Sequence, residues 1–164
     1  MQLNFITAAI DDLPWITEVY NSIIAGRMVT ADMEPVSVES KLPWFHEHDD
    51  SRPLWVVEAD GQRIGWASLQ DFYGRPAYRI TAEVSIYLDE AVRGKGFGKL
   101  VLQQAIEKSL ELGIENLLGF IFEHNIPSIN LFEKAGFQRW AVMHGIAVLD
   151  GIHRSLVIMG KKIQ

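Results

Sequence analysis

Between an alternating apolar stretch that ends at Leu88 and a helical repeat that begins near Leu100 stands Arg93-Gly94-Lys95-Gly96-Phe97-Gly98-Lys99. Closely spaced glycines let successive backbone N–H groups turn towards one centre, which makes an anion-binding nest. The N-terminus of the following helix adds its partial positive charge. Arg93, Lys95 and Lys99 add full ones. Together these suit a pyrophosphate. A strand, such a loop and a helix in succession commit the chain to a layered α/β architecture.

Spacing separates the nucleotide loops that share this composition. A P-loop needs Gly where Arg93 stands and Ser or Thr where Leu100 stands. The dinucleotide fingerprint needs a third Gly at Lys99, and it follows the first strand of its domain. What remains is Arg/Gln-x-x-Gly-x-Gly/Ala, matched by Arg93, Gly96 and Gly98. On the loop alone, a glycine-rich turn without a ligand stays open as the other reading.

The rest of the chain supplies the elements around this junction. Gln2–Ile6 alternates as a strand does. Asp11 or Asp12 is placed to cap a helix through about Ala25, with Pro14 in its first turn and Leu13, Ile16, Val19, Tyr20 and Ile23 at helical spacing. Ser37 is placed to cap a short helix through about His48. Leu54–Glu58 and Gln62–Asp71 form a predicted hairpin around Asp60-Gly61. Thr81–Leu88 is a two-faced strand, with Val84, Ile86 and Leu88 opposite Glu83, Ser85 and Tyr87. A helix carrying Leu100, Val101, Ala105, Ile106 and Leu110 ends at Gly113. Asn116–Phe122 is almost continuously apolar, as a strand covered on both faces would be. Asn125–Ala135 is a helix stopped at Gly136, and Phe137–Ala147 with Ile152–Met159 closes the chain as a hairpin around Asp150-Gly151. The sum is one α/β domain over residues 1–164 with a mixed sheet.

Composition narrows the function. The chain has no cysteine, so disulfides, Cys-ligated zinc and thiol nucleophiles are out. Its net charge of −6 disfavours nonspecific nucleic-acid binding. It carries no signal-peptide pattern and no apolar run long enough for a membrane, so a cytoplasmic protein is expected. The histidines lack metal-ligand spacing: His46 and His48 are two apart, and no His-Glu-x-x-His occurs. His144 is either structural or turned to an acceptor. Trp15, Trp44, Trp55, Trp66 and Trp140 read as core or subunit contacts.

Glu83–Gly98, together with Asn125-Ile126-Pro127-Ser128 and Leu131–Phe137, resembles the GNAT acetyltransferase superfamily. Val29–Asp32, Phe72–Tyr78 and Ala82–Tyr87 are similar to its phosphinothricin acetyltransferase branch, and the likeness runs over essentially the whole chain. The resemblance implies a mostly antiparallel central sheet whose central strands splay apart, with flanking helices and acetyl-coenzyme A in the gap. Main-chain groups of Ile86, Tyr87 and Leu88 would pair with the pantetheine amides. The pyrophosphate would lie on Arg93, Gly94, Lys95, Gly96, Phe97 and Gly98, and Asn125 and Ser128 would reach the pantetheine arm. Asn125 also reads as a helix cap. A homodimer is implied by the resemblance alone.

The chemistry follows from what an amine needs. It attacks a thioester only as the free base, so a proton acceptor must be present. Without cysteine or a Gly-x-Ser-x-Gly elbow, direct transfer is simpler than an acyl-enzyme. Glu83 is the candidate base; the other reading is a solvated carboxylate on a half-exposed strand. The Leu88 amide or a neighbour would polarise the thioester carbonyl. The resemblance places a leaving-group acid, usually Tyr, where this chain has Phe132, which cannot donate a proton. Unassisted departure, Tyr87 or water then remain.

Acceptor binding is expected from Met28, Phe72, Arg75 and Tyr78, with Arg75 holding a carboxylate or another oxyanion from a loop stiffened by Pro76. Arg75 otherwise reads as a surface arginine. The branch suggests phosphinothricin, methionine sulfoximine or methionine sulfone as acceptors. A protein or peptide N-acetyltransferase and a non-catalytic acyl-CoA-binding module are the competing readings.

Overall fold

The computed structural model describes residues 1–164 as a seven-stranded sheet with helices on both faces. Strands β1 (Leu3–Thr7), β2 (Leu54–Ala59), β3 (Gln62–Asp71), β4 (Thr81–Leu88), β5 (Asn116–Phe122), β6 (Gln138–Leu149) and β7 (Ile152–Lys162) lie in the order β1-β2-β3-β4-β5-β7-β6. Every neighbouring pair is antiparallel except β4 and β5. Helices α1 (Leu13–Ser22) and α2 (Val38–His46) cover one face, and α3 (Phe97–Glu111) and α4 (Ile126–Lys134) cover the other. No helix is long and apolar enough to cross a membrane.

Both expected hairpin turns form. Asp60 and Gly61, and again Asp150 and Gly151, take left-handed φ of 49°, 81°, 52° and 79°, the geometry of a two-residue turn that matches strand twist. Ser37 caps α2 by accepting from the Ser40 N–H at 3.1 Å.

Three local expectations need correction. Helix α1 stops at Ser22, short of Ala25, where a 3₁₀ turn (Ile24–Gly26) takes over and Arg27 turns left-handed at φ 53°. Asp12 does not cap it, because its carboxylate accepts from the Ala9 N–H at 2.8 Å and pairs with Arg63. On α3 the buried face is Val101, Leu102, Ala105, Ile106 and Ser109, so Leu100 and Leu110 face solvent.

Two cores result. The larger joins Val101, Leu102, Ala105, Ile129 and Phe132 to the α3/α4 face of the sheet. The smaller packs Leu13, Ile16, Val19, Tyr20 and Ile24 against Leu54, Val56 and Trp66. The sheet between them is opened by one feature, the parting of β4 from β5.

Candidate active site

Strands β4 and β5 pair at Thr81–Asn116, Ala82–Leu117 and Glu83–Leu118, and then separate. Beyond that fork β4 continues to Leu88 and β5 to Phe122, so each presents an unpaired edge to a cleft. Val84, Ser85, Ile86 and Tyr87 form one wall, Gly119, Phe120 and Ile121 the other, and Asn125, Ser128 and Phe132 close it from α4. Gly119 is required by close approach: a Cβ there would meet the Phe132 ring at 2.5 Å.

Strand alternation decides which main-chain groups face the cleft. Asp89 N–H donates to Ile64 O across β3, so Leu88 and Ile86 direct their N–H and C=O groups the opposite way, to the open edge. Tyr87 stands between them and faces Trp66 in a hydrogen-bonded pair. The expectation for Ile86, Tyr87 and Leu88 therefore narrows: Ile86 and Leu88 have main-chain groups for a ligand, and Tyr87 contributes only its side chain. At the end of β4 the Arg93 guanidinium folds back to donate to Leu88 O at 3.3 Å.

The glycine loop has the conformation its composition demands. Gly94 and Gly96 lie at φ 73° and 84°, and Gly96 is the residue on which α3 begins. Gly98 lies inside the first turn of α3 and is not left-handed. Packing is close here, since a Cβ would sit 3.3 Å from the Leu131 side chain. Phe97 turns its side chain to the large core, leaving only main chain for a ligand. Arg93, Lys95 and Lys99 are exposed around the loop. Asn125 acts as the cap of α4, accepting from Ser128 N–H at 3.3 Å, and also donates to Met28 O at 3.2 Å. Its amide thus pins the segment after α1 across the cleft, with Val29 at the wall.

A second chamber opens on the α1/α2 side. Tyr20, Lys41, Trp44, Trp66, Ser68 and Gln70 line it with Glu83, Ser85 and Tyr87. Ser85 and Tyr87 belong to both chambers, so the two spaces meet along β4. Glu83 sits at the fork itself. Burial pushes its carboxyl up to about 7, which makes it a proton acceptor near neutral pH. Tyr87 stacks on Trp66 with centroids 4.3 Å apart and leans on Tyr20 at 5.5 Å. Burial, with the charges of its neighbours added, holds the Tyr87 hydroxyl protonated well above its ordinary range.

The expected acceptor residues divide. Phe72 and Tyr78 cluster with Tyr73 in the loop after β3, at 4.6 Å (Phe72–Tyr73) and 5.6 Å (Phe72–Tyr78) between rings. Arg75 is exposed in that same loop, and neither chamber has it in its wall. Met28 enters only through its carbonyl. Tyr20, Lys41, Trp66, Ser68 and Gln70 were not expected at a site. Tyr20 and Trp66 carry the periodicity of core residues, and nothing in the local sequence of Lys41 or Ser68 marks them.

The profile of the "Acetyltransferase (GNAT) family" matches residues 16–137. The chain is 52% identical over 153 residues to the Bacillus subtilis (strain 168) protein "Putative phosphinothricin acetyltransferase YwnH", covering 93% of this chain and 94% of that one. It is 31% identical to an L-methionine sulfoximine/L-methionine sulfone acetyltransferase of Pseudomonas aeruginosa, covering 80% of this chain and 77% of the relative. A phosphinothricin acetyltransferase from Sinorhizobium meliloti, solved in complex with acetyl-CoA, superposes with a TM-score of 0.88 at 29% identity. That match covers 99% of this chain and 89% of the other.

Proposed function

This chain belongs to the acetyltransferase (GNAT) family, and we propose that it transfers acetyl from acetyl-CoA to the α-amino group of a small amino-acid-like acceptor. The observation that carries the reading is the junction of the two chambers at Ser85 and Tyr87, with Glu83 at the fork. One space suits an extended thioester between splayed strands. The other is polar and lined by aromatic rings, which suits a small amine. The names of the relatives, acetyltransferases of phosphinothricin, methionine sulfoximine and methionine sulfone, support the same acceptor class.

In this reading the fit of acetyl-CoA rests on the chain's own groups. Ile86 and Leu88 offer main-chain partners to the pantetheine amides, and the left-handed Gly94 and Gly96 turn N–H groups towards the pyrophosphate. Glu83, directly or through water, takes the ammonium proton. The amine nitrogen then bonds to the thioester carbonyl carbon while the Leu88 N–H stabilises the developing oxyanion. As the C–S bond breaks, the second proton of the newly bonded nitrogen passes to the thiolate, relayed by the Tyr87 hydroxyl or water, since Phe132 at the cleft wall has none to give. Both substrates are bound together, and no covalent acetyl-enzyme forms. Arg75, Phe72 and Tyr78 would meet the distal end of the acceptor from the rim.

The exposed β6 strand, with Trp140, Met143, Ile146 and Val148 at 43–54% exposure, supports a homodimer, which sedimentation equilibrium decides. The cytoplasm is the proposed location. An acceptor panel followed by free-thiol release tests the function itself. Amino-acid analogues with a free α-amino group should release thiol well above background hydrolysis. Release with peptides but with no free amino acid would overturn the acceptor class.

A further inference from the structure

Lys41 is the one cation in the wall of the acceptor chamber. It projects from α2 with its ammonium 4.0 Å from the Tyr20 ring centroid and 4.9 Å from that of Trp44. Those rings hold a cation in place without neutralising it. The protein has four ion pairs, and none involves Lys41. Burial lowers its pKa, with the nearby Asp32 charge acting the other way, so the ammonium is partly desolvated and short of a counter-charge. In the same chamber Ser68 is 1% exposed, and its buried hydroxyl has no hydrogen-bond partner. A buried hydroxyl left unpaired is rare enough to need a reason. A held cation and an unsatisfied donor in one small space make a seat for an oxyanion.

We propose that Lys41 and Ser68 bind the α-carboxylate of the acceptor and so restrict the enzyme to free α-amino acids. The inference rests on the acetyltransferase reading above. An α-carboxylate shares its carbon with the amine, so a group that seats it in the chamber of Glu83 also places the nitrogen beside Ser85 and Tyr87. Arg75, outside that chamber, is left for the distal polar group of the acceptor. Glu83 and Lys41 thereby divide the α-carbon's two charged groups, the ammonium to the carboxyl and the carboxylate to the ammonium.

The test compares L-methionine sulfoximine with its α-carboxamide as acceptors for the wild type, Lys41→Met, Lys41→Arg and Ser68→Ala. Methionine keeps the apolar stem over Tyr20 and Trp44, and a thermal melt checks that each variant folds. Lys41→Met should raise the KM for the carboxylate acceptor by about ten- to a hundredfold, the weight of one charge-assisted hydrogen bond. Its kcat/KM for the carboxamide should match wild type. Lys41→Arg should recover most of the loss, and Ser68→Ala should show a smaller, carboxylate-specific rise in KM. An active wild type whose Lys41→Met variant loses both acceptors equally, or keeps its KM for the carboxylate, overturns this proposal alone. A wild type that binds acetyl-CoA but acetylates no free amino acid overturns the acceptor reading with it.

Discussion

Glu83 is the proposed base. Its position on the polar face of an alternating strand was legible in the sequence, but its burial was not, because that depends on α1 and α2 folding over the strand. The same burial raises its carboxyl to about 7 and so suits it to the proposed role. If Glu83 accepts the ammonium proton, Glu83→Gln should lower turnover by about 10²–10⁴-fold and hardly change acetyl-CoA affinity. Wild-type kcat/KM should rise with pH and level off above about 7, a step that Glu83→Gln removes. Stability moves in the opposite sense. The folded-state value lies above the ordinary 4.5, so stability linked to Glu83 is full below 4.5 and is lost as pH rises through about 7. Glu83→Gln escapes that loss and should melt progressively higher than wild type as pH increases over this window. Unaltered turnover in Glu83→Gln, where chemistry limits the rate, would remove it from the mechanism. Lys41 and Ser68 show the limit of reading residues singly, since a lysine in a helix and a serine in a strand carry no pattern until Tyr20, Trp44 and Trp66 gather around them.

Among the elements, the strand–loop–helix junction was the most legible, because glycine spacing reports backbone conformation directly. Left-handed φ at Gly94 and Gly96 follows from that logic, whereas Gly98 is not left-handed and packs close to Leu131, a contact between distant segments that spacing cannot encode. The fork between β4 and β5 was legible only through the resemblance. Local periodicity gives each strand its faces and says nothing about where two strands part. Gly96→Val should therefore act on the loop and not on the fold. A β-branched residue disfavours φ 84°, and loss of the nest should weaken acetyl-CoA binding by an order of magnitude or more. No side-chain clash opposes it, as nothing lies within 4 Å of a Cβ there. Calorimetry that returns wild-type affinity would take the pyrophosphate off this loop.

At the scale of the whole molecule, the helices set the two chambers on either side of one strand. Helix α4 bounds the cleft on one face, α1 and α2 bound the acceptor chamber on the other, and β4 is their common wall. The class of fold and both hairpins were readable from alternation and turn residues, while the antiparallel bias of the sheet came from the resemblance. The second chamber was not, because its walls come from four segments spread over residues 20–87. The proposed reaction holds acetyl-CoA and the amine together before either reacts. Initial velocities measured over a grid of acetyl-CoA and methionine sulfoximine concentrations test that arrangement most directly. Intersecting double-reciprocal lines are predicted, with both substrates present before coenzyme A leaves. Parallel lines, with coenzyme A released before the acceptor binds, would contradict it.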